Sequence, residues 1–111
     1  MNNNNFRVIR EMKDFILSLD KVVVNFPRSE RVLRDNIYND SYEALRNIVL
    51  ANLLDSDKGY IQKKVIASLS MIDFYFEFSL KKKYISEKQC VYFCRKLQSI
   101  SKMTYGWIKN G

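Results

Sequence analysis

The chain contains no His. That removes Ser-His-Asp and Cys-His catalysis and every His-based metal site. Its two cysteines, Cys90 and Cys94, lie four apart. Two thiols cannot complete a four-cysteine zinc site or a disulfide framework, which points to a reducing, intracellular setting. No partner that would lower a thiolate pKa is evident in the pattern, so the pair reads as two small buried apolar side chains. A di-metal carboxylate site inside a helical bundle needs inward Glu on several helices and Glu-x-x-His pairs. Glu43 and Glu77 fall off the apolar seams, and Asp73 follows a core Ile. Gly59, Gly106 and Gly111 stand alone, so no glycine-rich phosphate loop exists. The expectation is a non-catalytic protein with no metal and no cofactor.

What remains is charge and aromatic surface. Nineteen Lys+Arg against 12 Asp+Glu leave a formal charge of +7. Such an excess attracts polyanions, acidic membranes or acidic partners. A Lys-, Asn- and Ile-rich composition with three Ala also fits codon bias, so position matters more than the total. Cations gather where the predicted helices meet: Lys21, Arg28, Arg31, Arg34, Lys81, Lys82, Lys83 and Lys88, against Asp20, Glu30, Asp35 and Glu87. Arg28, Arg31 and Arg34 step by three, roughly one helix face. Several cations on one surface are what phosphate binding requires. Lys81–Lys83 also complement a helix C-terminus. Arg95, Lys96, Lys102 and Lys109 lie outside the seam of the last helix, where they either extend this surface or solvate an exposed face.

The elements that position these residues follow from periodicity. With 111 residues, three Gly and one Pro, the chain fits one domain of long helices. Ile9, Met12, Ile16, Leu19, Val23 and Phe26 form a helical seam ended by Pro27, with Ser29 as the expected N-cap of the next helix. Leu33, Ile37, Ser41, Ala44, Ile48 and Ala51 form the second seam. Ile61, Val65, Leu69, Ile72, Phe76 and Leu80 form the third, and Cys90, Phe93, Leu97, Ile100, Thr104 and Trp107 the fourth. Ser86-Glu87-Lys88-Gln89 has the form of a capping box. Turns are expected near 26–29, 55–60 and 84–86. The fold class predicted is all-α, an up-down-up-down four-helix bundle over 6–111 with a disordered tail over 1–5.

The second helix carries more apolar surface than one groove needs. Tyr38, Tyr42, Leu45 and Val49 flank its seam, and Tyr favours interfaces, so a homo-oligomer is expected through them. No apolar run is long enough to span a bilayer, and the N-terminus lacks the pattern of a signal peptide. A cytoplasmic protein without membrane partners is expected.

The run Phe26-Pro27-Arg28-Ser29-Glu30-Arg31-Val32-Leu33-Arg34-Asp35-Asn36-Ile37 resembles the helix 1–helix 2 junction of the accessory variability determinant (Avd) proteins of diversity-generating retroelements. Lys83-Tyr84-Ile85-Ser86-Glu87-Lys88-Gln89 and the closing Gly106-Trp107-Ile108-Lys109 are similar as well. The resemblance covers roughly residues 12 to 110. It implies a four-helix bundle assembling as a ring-shaped homopentamer. It also implies association with a retroelement reverse transcriptase and with RNA or DNA through basic surface, in support of mutagenic retrohoming. The expected nucleic-acid contacts are Arg28, Arg31, Arg34, Lys81, Lys82, Lys83 and Lys88. The small four-helix proteins encoded in intervening sequences of ribosomal RNA genes look similar at lower resolution. They suggest the alternative of a stand-alone oligomeric interaction protein.

Overall fold

Pro27 sets the first boundary. Its torsions (φ −60°, ψ 151°) are extended, so the chain leaves the helical region there. The computed structural model describes residues 3–110. Their elements are α1 (Asn3–Ser18), α2 (Asp20–Val23), a 3-10 turn (Arg28–Glu30), α3 (Arg31–Leu53), α4 (Gly59–Lys81) and α5 (Glu87–Asn110). No strand occurs among the described residues, and the all-α class holds. The helix α1 begins inside the segment 1–5 expected as a tail; Met1 and Asn2 lie outside the described residues.

Helices α1 and α2 act as one long segment. Leu19 between them keeps helical torsions (φ −61°, ψ −35°). The backbone tightens there, with Leu19 N donating to Ile16 O at 3.1 Å and the Ser18 hydroxyl donating to Phe15 O at 2.6 Å. Four long segments result. Helix α3 packs on α4, α4 on α5, and α1 on both α3 and α5. They surround one core, in a body 43 × 23 × 19 Å along its principal axes.

The second and fourth seams are buried as expected: Leu33, Ile37, Ser41, Ala44, Ile48 and Ala51, then Cys90, Phe93, Leu97, Ile100, Thr104 and Trp107. Ser41 and Thr104 satisfy their hydroxyls by donating to the carbonyls of Ile37 and Ile100, so small polar groups sit in the core without an orphaned proton. In the third seam Val65, Leu69, Ile72 and Phe76 are buried, while Ile61 and Leu80 pack at its margins.

The first seam departs from expectation by one residue. Val8, Met12, Phe15, Leu19, Val22, Val23 and Phe26 are the buried set, so Met12, Leu19, Val23 and Phe26 lie inside as expected, with Ile9 and Ile16 half-buried beside them. Phe15 decides the rotation. Its ring stands edge-on to Phe76 (6.2 Å) and to Phe93 (5.8 Å), which stack on each other at 4.9 Å. An aromatic buries more surface than Ile and gains from edge-to-face geometry.

The two serine caps diverge. At Ser86 the capping box forms: Gln89 N donates to Ser86 Oγ at 3.1 Å, and Ser86 N donates to Gln89 Oε1 at 2.9 Å. Ser29 does not cap α3. It lies inside the 3-10 turn closed by Glu30 N donating to Pro27 O at 2.9 Å, and α3 starts at Arg31 without a side-chain cap. Three residues after Ser29 stands Val32, which cannot return the bond that Gln89 gives. Replacing Ser86 with Ala should lower unfolding stability by about 1 kcal/mol, read as a lower denaturant midpoint at unchanged slope. Ser29→Ala should leave that midpoint in place.

Candidate nucleic-acid interface

The candidate surface forms where two junctions meet. Tyr84, between α4 and α5, packs its ring 5.8 Å from Phe26, just before the 3-10 turn. Burial first, and the charge of the Glu30 carboxylate second, push the Tyr84 phenol above its ordinary pKa. On the other side the Tyr38 hydroxyl donates to Asp20, joining α3 to α2. Burial first, and that bond second, push Tyr38 up to about 12. These ties bring Lys81, Lys82 and Lys83 to the same end of the molecule as Arg28, Arg31 and Arg34.

Arg28 and Arg31 are exposed and Arg34 is half-buried. Arg31 pairs loosely with Asp35 (3.8 Å), both side chains largely in water, a contact of little energetic weight. Lys81 is the last residue of α4, and Lys82 and Lys83 follow in the turn, all exposed. Lys82 Nζ also lies 5.5 Å from the centre of the Phe78 ring. Lys88 is exposed in the first turn of α5.

The way α4 ends is unusual. Lys83 N donates to Leu80 O and Tyr84 N to Ser79 O, both at 2.9 Å. This is the double closure that normally places Gly in the left-handed conformation. Here Lys83 holds it, at φ 63°. A residue with a Cβ pays roughly 1–2 kcal/mol for that conformation. The cation at the centre of the basic cluster is thus retained where glycine would be less strained.

Of the expected oligomer residues, Tyr42 and Val49 are exposed on α3, whereas Tyr38 and Leu45 are half-buried against the core. Tyr38 and Tyr42 stack at 6.1 Å. A longer apolar stripe, missed in the sequence, runs down α4: Tyr60, Ala67, Met71 and Phe74 are exposed and Phe78 is half-buried. With Lys64 these positions step by 4, 3, 4, 3, 4, nearly opposite the seam that packs inward. A second 3–4 repeat alongside the core repeat was the available signal.

The cysteines take the plain role. Cys90 is buried, its thiol 3.7 Å from Phe76 O and 3.9 Å from the Cys94 sulfur. Burial pushes both thiols above the usual range, so neither is an activated nucleophile. Among the described residues no group of three His, Cys, Asp or Glu is placed to hold a metal ion. No helix among them is long and apolar enough to cross a membrane.

A solved structure shares this architecture over nearly its whole length. The fold is similar to that of an S23 ribosomal protein family member. That protein, from Bacteroides thetaiotaomicron VPI-5482 and of unknown function, superposes with a TM-score of 0.85 at 14% sequence identity. The match covers 96% of this chain and 98% of the other. Identity that low carries the fold alone. No family model matches this chain, and no curated protein does.

Proposed function

We propose that the chain is a non-catalytic, nucleic-acid-binding accessory protein that works as a homo-oligomer, with a pentamer favoured. Its four segments run up-down-up-down. The contacts Asp20–Tyr38 and Phe26–Tyr84 at one end, and Lys58 Nζ 6.0 Å from the Trp107 ring at the other, support that order. In the cell it acts in the cytoplasm, where the resemblance makes a retroelement reverse transcriptase and its template RNA the partners. Arg28, Arg31, Arg34, Lys81, Lys82, Lys83 and Lys88 contact phosphate.

The observation that carries the reading is Lys83. Asp57 (φ 58°) is the other described non-glycine residue with positive φ, but Asp tolerates that conformation better than Lys does, and strain borne by a lysine where glycine would relieve it points to function. Replacing Lys83 with Gly should raise stability by up to about 1 kcal/mol and weaken binding of RNA and single-stranded DNA. Denaturant unfolding and a salt titration of binding, on the variant and the parent, test both halves. A variant that is more stable and binds equally well removes phosphate contact from Lys83. Light scattering on the parent tests assembly: a 13.2 kDa particle at micromolar concentration rejects it, and a dimer or tetramer rejects the ring.

A second reading draws on the α4 stripe. Exposed Tyr60, Met71 and Phe74 along one face of α4 suit a bundle that serves protein partners alone. Absence of nucleic-acid binding at about 50 mM salt, where phosphate contacts are strong, decides for it.

A further inference from the structure

Helix α5 carries a second pattern that the basic end of the molecule does not use. Lys88, Arg95, Lys102 and Lys109 recur every seven residues and are all exposed. Seven residues return to nearly the same helix face, drifting by about 20° per step. The four cations therefore form a ridge of roughly 31 Å at 1.5 Å per residue. Lys96 stands beside it, and Glu87 is the single acid of the helix. None of these five cations is ion-paired among the described residues. The ridge is positive charge not tied up in close ion pairs, the condition under which bound small ions are released to a polyanion.

Each side of the ridge is a groove with one exposed tyrosine. Between α1 and α5 an open groove of about 470 Å³ is lined by Glu11, Lys88, Val91, Tyr92, Arg95, Lys96 and Ser99. Tyr92 is 51% exposed, and Lys96 Nζ lies 5.2 Å from its ring centre. Between α4 and α5 a groove of about 350 Å³ includes Asp73, Lys102 and Tyr105, the last 58% exposed. In sequence Tyr92 is flanked by Lys88 and Lys96, and Tyr105 by Lys102 and Lys109. A cationic track interleaved with exposed aromatic rings suits single-stranded nucleic acid, whose phosphates follow the charge while unpaired bases stack on the rings. A duplex keeps its bases inside and has no use for the tyrosines.

We infer that α5 is a track for single-stranded nucleic acid, with phosphates along Lys88, Arg95, Lys102 and Lys109 and a base stacked on Tyr92 in the α1–α5 groove. The inference rests on the reading that the chain binds nucleic acid, and it adds the strand form and the path. Lys88 joins the track to the basic end. Glu11, the one carboxylate lining the groove at Tyr92, repels phosphate from that floor and leaves it to bases.

The test uses the full chain, a 20-nucleotide oligo(dT) strand and a blunt duplex of equal length, in salt titrations. The parent should bind the strand more tightly than the duplex. Arg95→Gln with Lys102→Gln and Lys109→Gln should flatten the slope of log K against log salt by roughly 2, at about 0.7 per single-strand contact. Tyr92→Ala should weaken strand binding about tenfold or more, and Tyr92→Phe should keep it. Circular dichroism confirms that each variant is folded. Unchanged slope in the triple variant, or equal binding by Tyr92→Ala and Tyr92→Phe, overturns the track while parent binding keeps the broader reading. A parent that binds neither probe overturns both.

Discussion

Replacing Phe76 with Ala should cost about 3–5 kcal/mol of unfolding free energy. Phe76 is fully buried and is the one ring in contact with both Phe15 of α1 and Phe93 of α5 from α4. Removing it deletes a stacked pair and an edge-to-face pair together and leaves a cavity between three helices. A domain of this size is stable by only about 5–15 kcal/mol, so the variant should stand near the limit of folding. Urea unfolding at a fixed protomer concentration is the measurement, because an oligomer's stability depends on concentration. Phe74→Ala, two residues away and 52% exposed, is the contrast. It should change the protomer's own stability by no more than about 0.5 kcal/mol. If α4 buries its outer face in an assembly, that variant should instead lower the midpoint and make it less dependent on protomer concentration. A loss below about 1 kcal/mol for Phe76→Ala would mean that the aromatic cluster is not the centre of the core.

The core seams of the second, third and fourth helices were read in the right place, although the second and third carry a further apolar stripe. Leu33 to Ala51 alternates with polar or aromatic flanks, and Cys90 to Trp107 has charged neighbours on most turns. The first helix offered two faces of nearly equal hydrophobicity. Val8, Ile9, Met12, Phe15, Ile16 and Leu19 form a broad stripe, and periodicity could not choose between Ile9–Ile16 and Val8–Phe15. Contact with Phe76 and Phe93, residues more than sixty positions away, made the choice. The caps show the same limit at shorter range. Ser86 has Gln89 to complete its bonds, whereas Ser29 stands two residues after Pro27 and is drawn into a 3-10 turn.

The surface was less legible than the core. Runs such as Lys81–Lys83 and Arg28–Arg34 are visible because they are close in sequence. On α5 the sequence marks Arg95, Lys96, Lys102 and Lys109 as lying outside the seam, but the seven-residue step that joins three of them to Lys88 passes among residues of every kind. The outer stripe of α4 was hidden by its aromatics, which read as core until the fold showed where the core lies. Phe74 and Phe76 are two residues apart, and one is half in water while the other is fully enclosed. Composition cannot separate them; the direction of the side chain on the helix can.

Changing Arg28, Arg31 and Arg34 together to Gln should leave the helices intact and lower nucleic-acid affinity. Arg28 and Arg31 are exposed, and their replacement should shift stability by about 0.5 kcal/mol each or less. Arg34 is half-buried near Tyr38 and is the one of the three whose loss the fold should feel. For binding, each lost phosphate contact should flatten the slope of log K against log salt by roughly 0.7–0.9, so three contacts by about 2–3. If protomers repeat around a ring, many weak contacts act together, and the loss should exceed that of one protomer. The control removes the same charge elsewhere: Arg7, Arg10 and Lys13, exposed on α1, changed together to Gln. That variant should keep most of the parent's slope, because it lacks the junction that brings Lys81–Lys83 beside the arginines. Equal loss from both triples would mean that net charge alone draws the polyanion, and that the basic end is not the site. Loss confined to the arginine triple would tie binding to the meeting of the two junctions, the feature that Phe26 and Tyr84 hold in place.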